Sequence, residues 1–171
     1  MQTSTRKVAQ AVILVAIGVA LSPFTSFPVG IAKVNPTQHF VNVVGAMMLG
    51  PWWAMTIAAI IAVLRNALGV GTLLAFPGGM IGAFLAGTAY RVTHSLYWGA
   101  LGEIVGTGIL GALVSGLLVA PVFMRSTMAL GVLIASFLAS TVLGSIVGVL
   151  ALRLLERAGY VELEGTGAPR A

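Results

Sequence analysis

The sequence contains no cysteine, only two histidines and only four carboxylates among its 171 residues. Without cysteine there is no disulfide framework, no thiolate nucleophile and no cysteine-based metal site. The histidines, His39 and His94, are too few for most histidine metal centres. Three of the carboxylates, Glu156, Glu162 and Glu164, lie close to the C-terminus. We therefore expect neither a metal site nor a cofactor.

Charged side chains of either sign are also scarce. They make up 8% of the residues, whereas hydrophobic residues make up 58% and the mean hydropathy is +1.05. A typical soluble domain has about 25% charged residues, so a soluble protein is excluded, and the abundant apolar residues exclude a disordered chain. The net charge of +5 comes from basic residues scattered singly through apolar sequence. This pattern is typical of membrane topology signals rather than of a nucleic-acid surface, and it predicts an all-α protein of the lipid bilayer.

The sequence motifs of several enzyme classes are missing. There is no G-x-x-x-x-G-K-[ST] phosphate loop, so the chain cannot by itself be a nucleotide-driven pump. There is no H-E-x-x-H and no G-x-S-x-G motif, and no serine or threonine lies in a recognisable nucleophile setting. We therefore predict that the protein is not an enzyme and has no catalytic residues.

Apolar runs separated by proline, glycine or polar residues are candidate membrane spans: 8–22, 38–50, 52–66, 78–93, 97–118 and 129–155. A straight helix needs about 20 residues to cross a bilayer, so the shorter runs require their flanking loops to be buried in protein at membrane depth. Glycines and other small residues recur every four positions in several runs, a pattern typical of closely packed membrane helices.

The doubtful boundary is Gly50-Pro51, because 38–66 could be one kinked helix. Six spans place six basic residues on one side and three on the other, whereas five spans divide them four against five. Cytoplasmic loops are enriched in Lys and Arg, so we predict a compact bundle of six transmembrane helices with both termini in the cytoplasm. Residues 1–157 would form the membrane domain and 158–171 a polar, disordered cytoplasmic tail.

Polar residues concentrate at the outer ends of the predicted spans. His39 and Asn42 are three residues apart and share a helix face, within about one turn of its outer end. Arg65 and Asn66 end the third span on the same side, and we interpret Arg65 as an interfacial residue whose charged end reaches the membrane surface. Glu103 lies roughly 12 Å along the fifth span. An ionisable residue at that depth faces the bundle interior or a cavity, either in a functional role or as a hydrogen-bond acceptor for another helix.

Several stretches carry a resemblance to a known family: Pro36-Thr37-Gln38-His39-Phe40-Val41-Asn42, Gly50-Pro51-Trp52, Leu64-Arg65-Asn66, Gly71-Thr72-Leu73-Leu74-Ala75-Phe76-Pro77-Gly78 and Gly102-Glu103. Together with the short spans and the long first outer loop, they resemble the ThiW family of substrate-binding (S) components of energy-coupling factor (ECF) transporters. The resemblance covers nearly all of residues 5–157.

The resemblance implies a mechanism. An S component of the prokaryotic plasma membrane binds a vitamin or vitamin precursor outside the cell and pairs with a transmembrane coupling subunit and two cytoplasmic ATPases. The ThiW family is associated with thiamine biosynthesis, and the implied ligand is its thiazole precursor, hydroxyethylthiazole. Related S components dock on the coupling subunit through a row of small residues on the first helix. Ala16 and Ala20 match that row, and Val12 does not.

Such a ligand is a neutral heteroaromatic with one hydroxyl, and it requires an apolar pocket with a few placed hydrogen bonds. The long first loop would then act as a lid over the site. We expect Glu103 to close the pocket floor or to accept the ligand hydroxyl. The other predicted substrate-binding residues are Gln38, His39, Asn42, Asn66 and Thr72 for polar contacts, and Phe27, Phe76 and Phe24 for contact with the ring.

Two other functions stay open from the sequence. A stand-alone secondary transporter of a small heterocycle would need ion-coupling carboxylates or broken helices at the midplane, for which Glu103 alone is slender support. A non-transporting membrane scaffold protein would use its small-residue faces to bind partners. The sequence also does not distinguish thiazole from thiamine or a pyrimidine precursor.

Overall fold

The computed structural model describes residues 4–126, 129–161 and 163. Residues 162 and 164–171, which make up most of the predicted polar tail, lie outside the described residues. The elements follow one another as α1 (Ser4–Ala20), α2 (Ser22–Thr25), β1 (Phe27–Val29), β2 (Ala32–Val34), α3 (Pro36–Leu49), α4 (Pro51–Ala67), α5 (Ala75–Thr93), α6 (Leu96–Phe123) and α7 (Leu130–Arg157).

The boundary between α3 and α4 is a true break. Gly50 has φ +95°, a conformation that side chains rarely adopt, and a Cβ atom there would collide with the guanidinium of Arg91. Pro51 then begins α4, where its missing N–H leaves no hydrogen bond unmade. The range 38–66 is therefore not one kinked helix.

The connection between α1 and α3 has structure of its own. A short helix, α2, is followed by an antiparallel hairpin in which Phe27 pairs with Val34 and Val29 with Ala32. Its turn begins at Gly30, whose φ of +58° suits a tight hairpin turn. Ala32 and Val34 are buried against the helices. The hairpin therefore covers one end of the bundle, which we call the hairpin end.

Small residues let the helices approach closely. A Cβ atom on Gly87 of α5 would lie 2.6 Å from the backbone of Pro51, and one on Gly106 of α6 would lie 2.7 Å from Cα of Gly82. Real Cβ atoms do not come that near to backbone, so these contacts exist only because glycine is present. This close approach allows polar groups on three helices to meet.

Helix α6 is not regular throughout. Its segments Gly106–Gly111 and Ser115–Val119 are π-helical, and Pro121 follows in the last turn. Widened π turns are frequent at functional sites. Here the first one begins beside Glu103 and includes Thr107, both of which point into the bundle and are buried.

The outside of the bundle is apolar. Helices α6 and α7, of 28 residues each, are long and apolar enough to cross a bilayer. Large apolar side chains are exposed on α1, α4, α5, α6 and α7, among them Val12, Ile13, Val63, Leu143 and Ile146. Soluble monomers rarely expose so much contiguous apolar surface.

Candidate functional site

A buried polar network centres on the carboxylate of Glu103. Its Oε1 accepts hydrogen bonds from Asn42 Nδ2 and from Thr107 Oγ1, both at 2.9 Å, and lies 2.9 Å from His39 Nδ1. Gln38 Nε2 extends the network by donating to Asn42 Oδ1 at 3.1 Å. Glu103 and Asn42 are fully buried. Burying a carboxylate is costly unless donors surround it; here the network satisfies Oε1, while Oε2 has no partner among the described residues.

Helical spacing and glycine place these groups together. His39 and Asn42 share one face of α3, and Glu103 and Thr107 share one face of α6. Helix α5 lies between them and contributes Gly82, where a Cβ atom would collide with the Thr107 hydroxyl and lie 2.7 Å from Glu103 Oε2. The site therefore needs a glycine on α5 as well as polar residues on its neighbours.

The carboxylate orients the imidazole of His39. An ionised carboxylate can only accept a hydrogen bond, so opposite an ionised Glu103 the Nδ1 atom of His39 is the donor. A neutral His39 then presents Nε2 as an acceptor, and a protonated His39 presents it as a donor. His39 is 8% exposed and lines the cavity described next, so this second nitrogen is the one available for recognition.

A cavity of about 30 Å³ lies under the hairpin, between α3, α4, α5, α6 and α7. Gln38 and His39 of α3 meet Phe137 and Ser140 of α7 across it. Glycines of α5 leave part of the wall open, since a Cβ atom on Gly78 would lie 3.1 Å from the Phe137 ring. The remaining lining residues are Lys33, Val34, Asn35, Arg65, Thr72, Ala75, Gly79 and Thr107.

Asn35 fastens the hairpin over the cavity. Its Nδ2 donates to Ser22 Oγ at 2.7 Å and to Ser26 Oγ at 3.0 Å. Its Oδ1 accepts from the backbone N–H of Gln38 at 3.2 Å, which caps α3, and from Thr25 Oγ1 at 3.1 Å. One side chain thus ties α2, the hairpin and the start of α3 together.

Two basic side chains lie on the same part of the wall. Arg65, at the end of α4, is 1% exposed, and its Nη2 donates to Ser26 Oγ at 3.2 Å and to the carbonyl of Val70 at 3.5 Å. Lys33, on β2, donates through Nζ to the carbonyl of Gly69. All three acceptors are neutral, and neither cation forms an ion pair with a described residue.

Several polar atoms on the cavity wall have no protein partner among the described residues. They are Oε1 of Gln38, Nε of Arg65, Oγ1 of Thr72 and Oγ of Ser140. Buried polar groups in proteins are nearly always hydrogen-bonded. Four such groups around one cavity leave donors and acceptors free to bind water or a polar ligand.

Comparison with known proteins identifies the family of the chain. A family model described as "Thiamine-precursor transporter protein (ThiW)" matches residues 8–158. The chain belongs to the ThiW family.

A solved structure supports the same assignment at the level of the fold. It is described as the S component of a bacterial ECF transporter, and it matches with a TM-score of 0.76 at 18% sequence identity, covering 93% of this chain and 100% of the other. No curated protein matched the sequence. The predicted resemblance to ThiW is therefore confirmed, and membership in ThiW indicates a membrane transporter and not an enzyme. Among residues 4–126, 129–161 and 163, no group of three or more His, Asp or Glu side chains could hold a metal ion.

Only some of the predicted site residues line the cavity, and others lie behind its wall. Gln38, His39 and Thr72 line the cavity. Asn42 and Glu103 lie behind that wall and touch it through Gln38, His39 and Thr107.

The other predicted residues lie around the cavity without lining it. Asn66 shapes the loop that carries Thr72, because its Nδ2 donates to the carbonyls of Ala62 at 2.8 Å and of Thr72 at 3.2 Å. Phe76 begins α5 and is half-buried. Phe27 and Phe24 are 49% and 86% exposed, on and beside the hairpin. Ala16 and Ala20 lie on the exposed face of α1.

Of the residues that line the cavity, sequence reasoning predicted only Gln38, His39 and Thr72, and three of those it missed matter most for recognition. Arg65 was interpreted as an interfacial residue, yet it is buried, because the hairpin covers it and Ser26 and Val70 hold its guanidinium. Phe137 and Ser140 were overlooked because α7 is uniformly apolar and rich in small residues. Their three-residue spacing puts them on one face, but only the fold shows that this face meets α3.

Proposed function

We propose that this protein is the membrane-embedded, high-affinity substrate-binding subunit of an ECF-type importer, with the thiamine precursor hydroxyethylthiazole as its ligand. The observation that carries the proposal is the covered cavity with unpartnered polar groups on its wall. In this proposal all six long helices cross the plasma membrane of a prokaryote, both termini face the cytoplasm, and the hairpin end faces the medium.

The wall offers the contacts that a thiazole alcohol needs. The ring of Phe137, flanked by Gly78, provides an apolar surface for the heterocycle, while His39 Nε2, Gln38 Oε1, Thr72 Oγ1 and Ser140 Oγ can bond its ring nitrogen and hydroxyl. Glu103 and Asn42 act from behind by fixing His39 and Gln38. A ligand of about nine heavy atoms can gain at most roughly 1.5 kcal/mol per atom, so tight capture requires nearly complete enclosure.

The hairpin supplies that enclosure. The cavity of about 30 Å³ holds about two water molecules, which is less room than the ligand needs. Binding therefore requires the hairpin and the loop from Leu68 to Leu74 to move outward and to close again over the ligand. Phe27 on the hairpin and Phe76 at the start of α5 stand beside this entrance, and Asn66 holds the loop.

Transport requires partners that supply energy. The chain has no phosphate loop, so a transmembrane coupling subunit and two ATPases would drive the transport cycle. We propose that Ala16 and Ala20 form the docking row on α1, because both are small and lie on its exposed face. Close helix contact in membranes relies on such residues.

The test is a titration of the purified protein with hydroxyethylthiazole, thiamine and a pyrimidine precursor. Ser140→Ala removes a hydroxyl that has no described protein partner, so the fold should keep its stability. The affinity should fall by about 2- to 10-fold, the effect of one hydrogen bond. Thr72→Val should act in the same way.

The matched control is Ser136→Ala, one turn earlier on α7. Ser136 bonds the carbonyl of Val132 at 2.6 Å and does not line the cavity, so its loss should leave affinity unchanged. Absence of binding by all three ligands would refute the proposed function. Equal affinities in the Ser140 and Ser136 variants would refute this placement of the ligand.

A further inference from the structure

The cavity carries an excess of positive charge that a neutral ligand would leave unbalanced. Arg65 is 1% exposed and Lys33 is half-buried, and both line the cavity. Arg65 bonds a hydroxyl and a carbonyl, and Lys33 bonds a carbonyl. An uncompensated buried charge costs several kcal/mol, so this wall favours an anion.

The protein has no carboxylate available for this purpose among its described residues. Oε1 of Glu103 meets Asn42, Thr107 and His39, and among the described residues Glu103 forms no ion pair with Arg65 or Lys33. Glu156 follows Ser140 by sixteen residues on α7, which puts it about 24 Å farther along the helix axis. Among the described residues no carboxylate pairs with Arg65 or Lys33, and an anionic molecule in the cavity would supply the compensating charge.

The donor geometry fits an anionic oxygen group. Arg65 Nε has no partner among the described residues, and a guanidinium binds carboxylate or phosphate oxygens through neighbouring N–H groups. Thr72 Oγ1 and Ser140 Oγ, both unpartnered on the same wall, are neutral donors for the same oxygens. The hairpin covers these groups, so a lipid headgroup reaches them only if the hairpin opens.

We infer that the ligand carries a negative charge: a small heteroaromatic whose side arm ends in a carboxylate or a phosphate monoester. This inference rests on the proposed function as a substrate-binding subunit, and it replaces the neutral alcohol named there with an anionic derivative of the same heterocycle. The ring lies against Phe137 and Gly78, and the anionic end pairs with Arg65 and Lys33. The two ends of the cavity thus recognise different parts of one molecule.

The experiment compares three probes on the purified protein by calorimetric titration: hydroxyethylthiazole, its phosphate monoester, and the carboxylate made by oxidising its alcohol arm. At least one anionic probe should bind about 10- to 100-fold more tightly than the neutral alcohol, the effect of a charge-assisted hydrogen bond. Inorganic phosphate alone should compete weakly, because it lacks the ring.

Substitutions test which side chain produces the preference for an anionic ligand. Arg65→Gln should abolish the preference for the anion, so that the anionic probes bind no more tightly than the alcohol. Arg125→Gln is the matched control, because Arg125 is exposed after α6 and does not line the cavity. The comparison of probes on the unmodified protein stays decisive even if Arg65→Gln does not fold.

The outcomes separate the two proposals. If the neutral alcohol binds as tightly as both anions, the charge inference is wrong and the proposed function stands. If inorganic phosphate competes as well as the monoester, the site recognises only a free anion, and the inference is also wrong. If no thiazole binds at all, the proposed function fails and the inference fails with it.

Discussion

Gly82 of α5, which lies against Glu103, offers the sharpest test of the polar network. In Gly82→Ala, the new Cβ atom would collide with the Thr107 hydroxyl and lie 2.7 Å from Glu103 Oε2 and 2.9 Å from its Cδ. Real Cβ contacts are longer than 3.0 Å. The carboxylate must therefore shift, or α5 and α6 must separate, and either change disturbs the hydrogen bonds from His39 and Asn42.

The expected cost follows from three effects. Overpacking a tight core costs about 1–3 kcal/mol, and loss of one hydrogen bond to a charged group costs about 1.5–3 kcal/mol. Alanine in a helix recovers about 1 kcal/mol relative to glycine. The variant should therefore be less stable by roughly 1.5–5 kcal/mol, which lowers the Tm by about 3–20 °C for a chain of this size.

The measurement is thermal unfolding in detergent, together with ligand titration. Gly131→Ala on α7 is the matched control, because no atom of the described residues lies within 4 Å of its added Cβ. That variant should be neutral or more stable by up to about 1 kcal/mol. If the Gly82 and Gly131 variants unfold at the same temperature and bind ligand equally, Glu103 does not depend on contact with α5, and the network described above is wrong.

Two further predictions concern the hairpin and α1. Asn35→Ala removes the cap of α3 and the hydrogen bonds to Ser22 and Ser26. The free energy of unfolding should fall by about 1–2 kcal/mol, and a protease should cut the hairpin faster. An unchanged rate of cleavage would contradict the role of Asn35 in holding the hairpin in place. Ala16→Trp should abolish co-purification with a coupling subunit while ligand affinity is retained. The control Ile146→Trp, at an exposed site on α7, should preserve both properties. If the two variants co-purify with the coupling subunit equally well, α1 is not the docking face.

Much of the architecture was predictable from the chain, because helix boundaries are local. Proline and glycine stop helices through the chemistry of one or two residues, and the break at Gly50-Pro51 needs no distant contact to form. The scarcity of charged residues likewise predicted directly that the helices lie in a lipid bilayer. The position of His39 and Asn42 on one helix face was equally predictable, because residues three apart on a helix share a face.

The site itself depended on contacts between distant parts of the chain. Glu103 is 64 residues from His39, and no local pattern states that the two meet. The burial of Arg65 required the hairpin, and the roles of Phe137 and Ser140 required α7 to lie beside α3. Composition and local spacing determined that the chain forms apolar helices with polar residues at one end. Only tertiary packing decided which of those residues face a common cavity, because helix rotation and close glycine contacts set that choice.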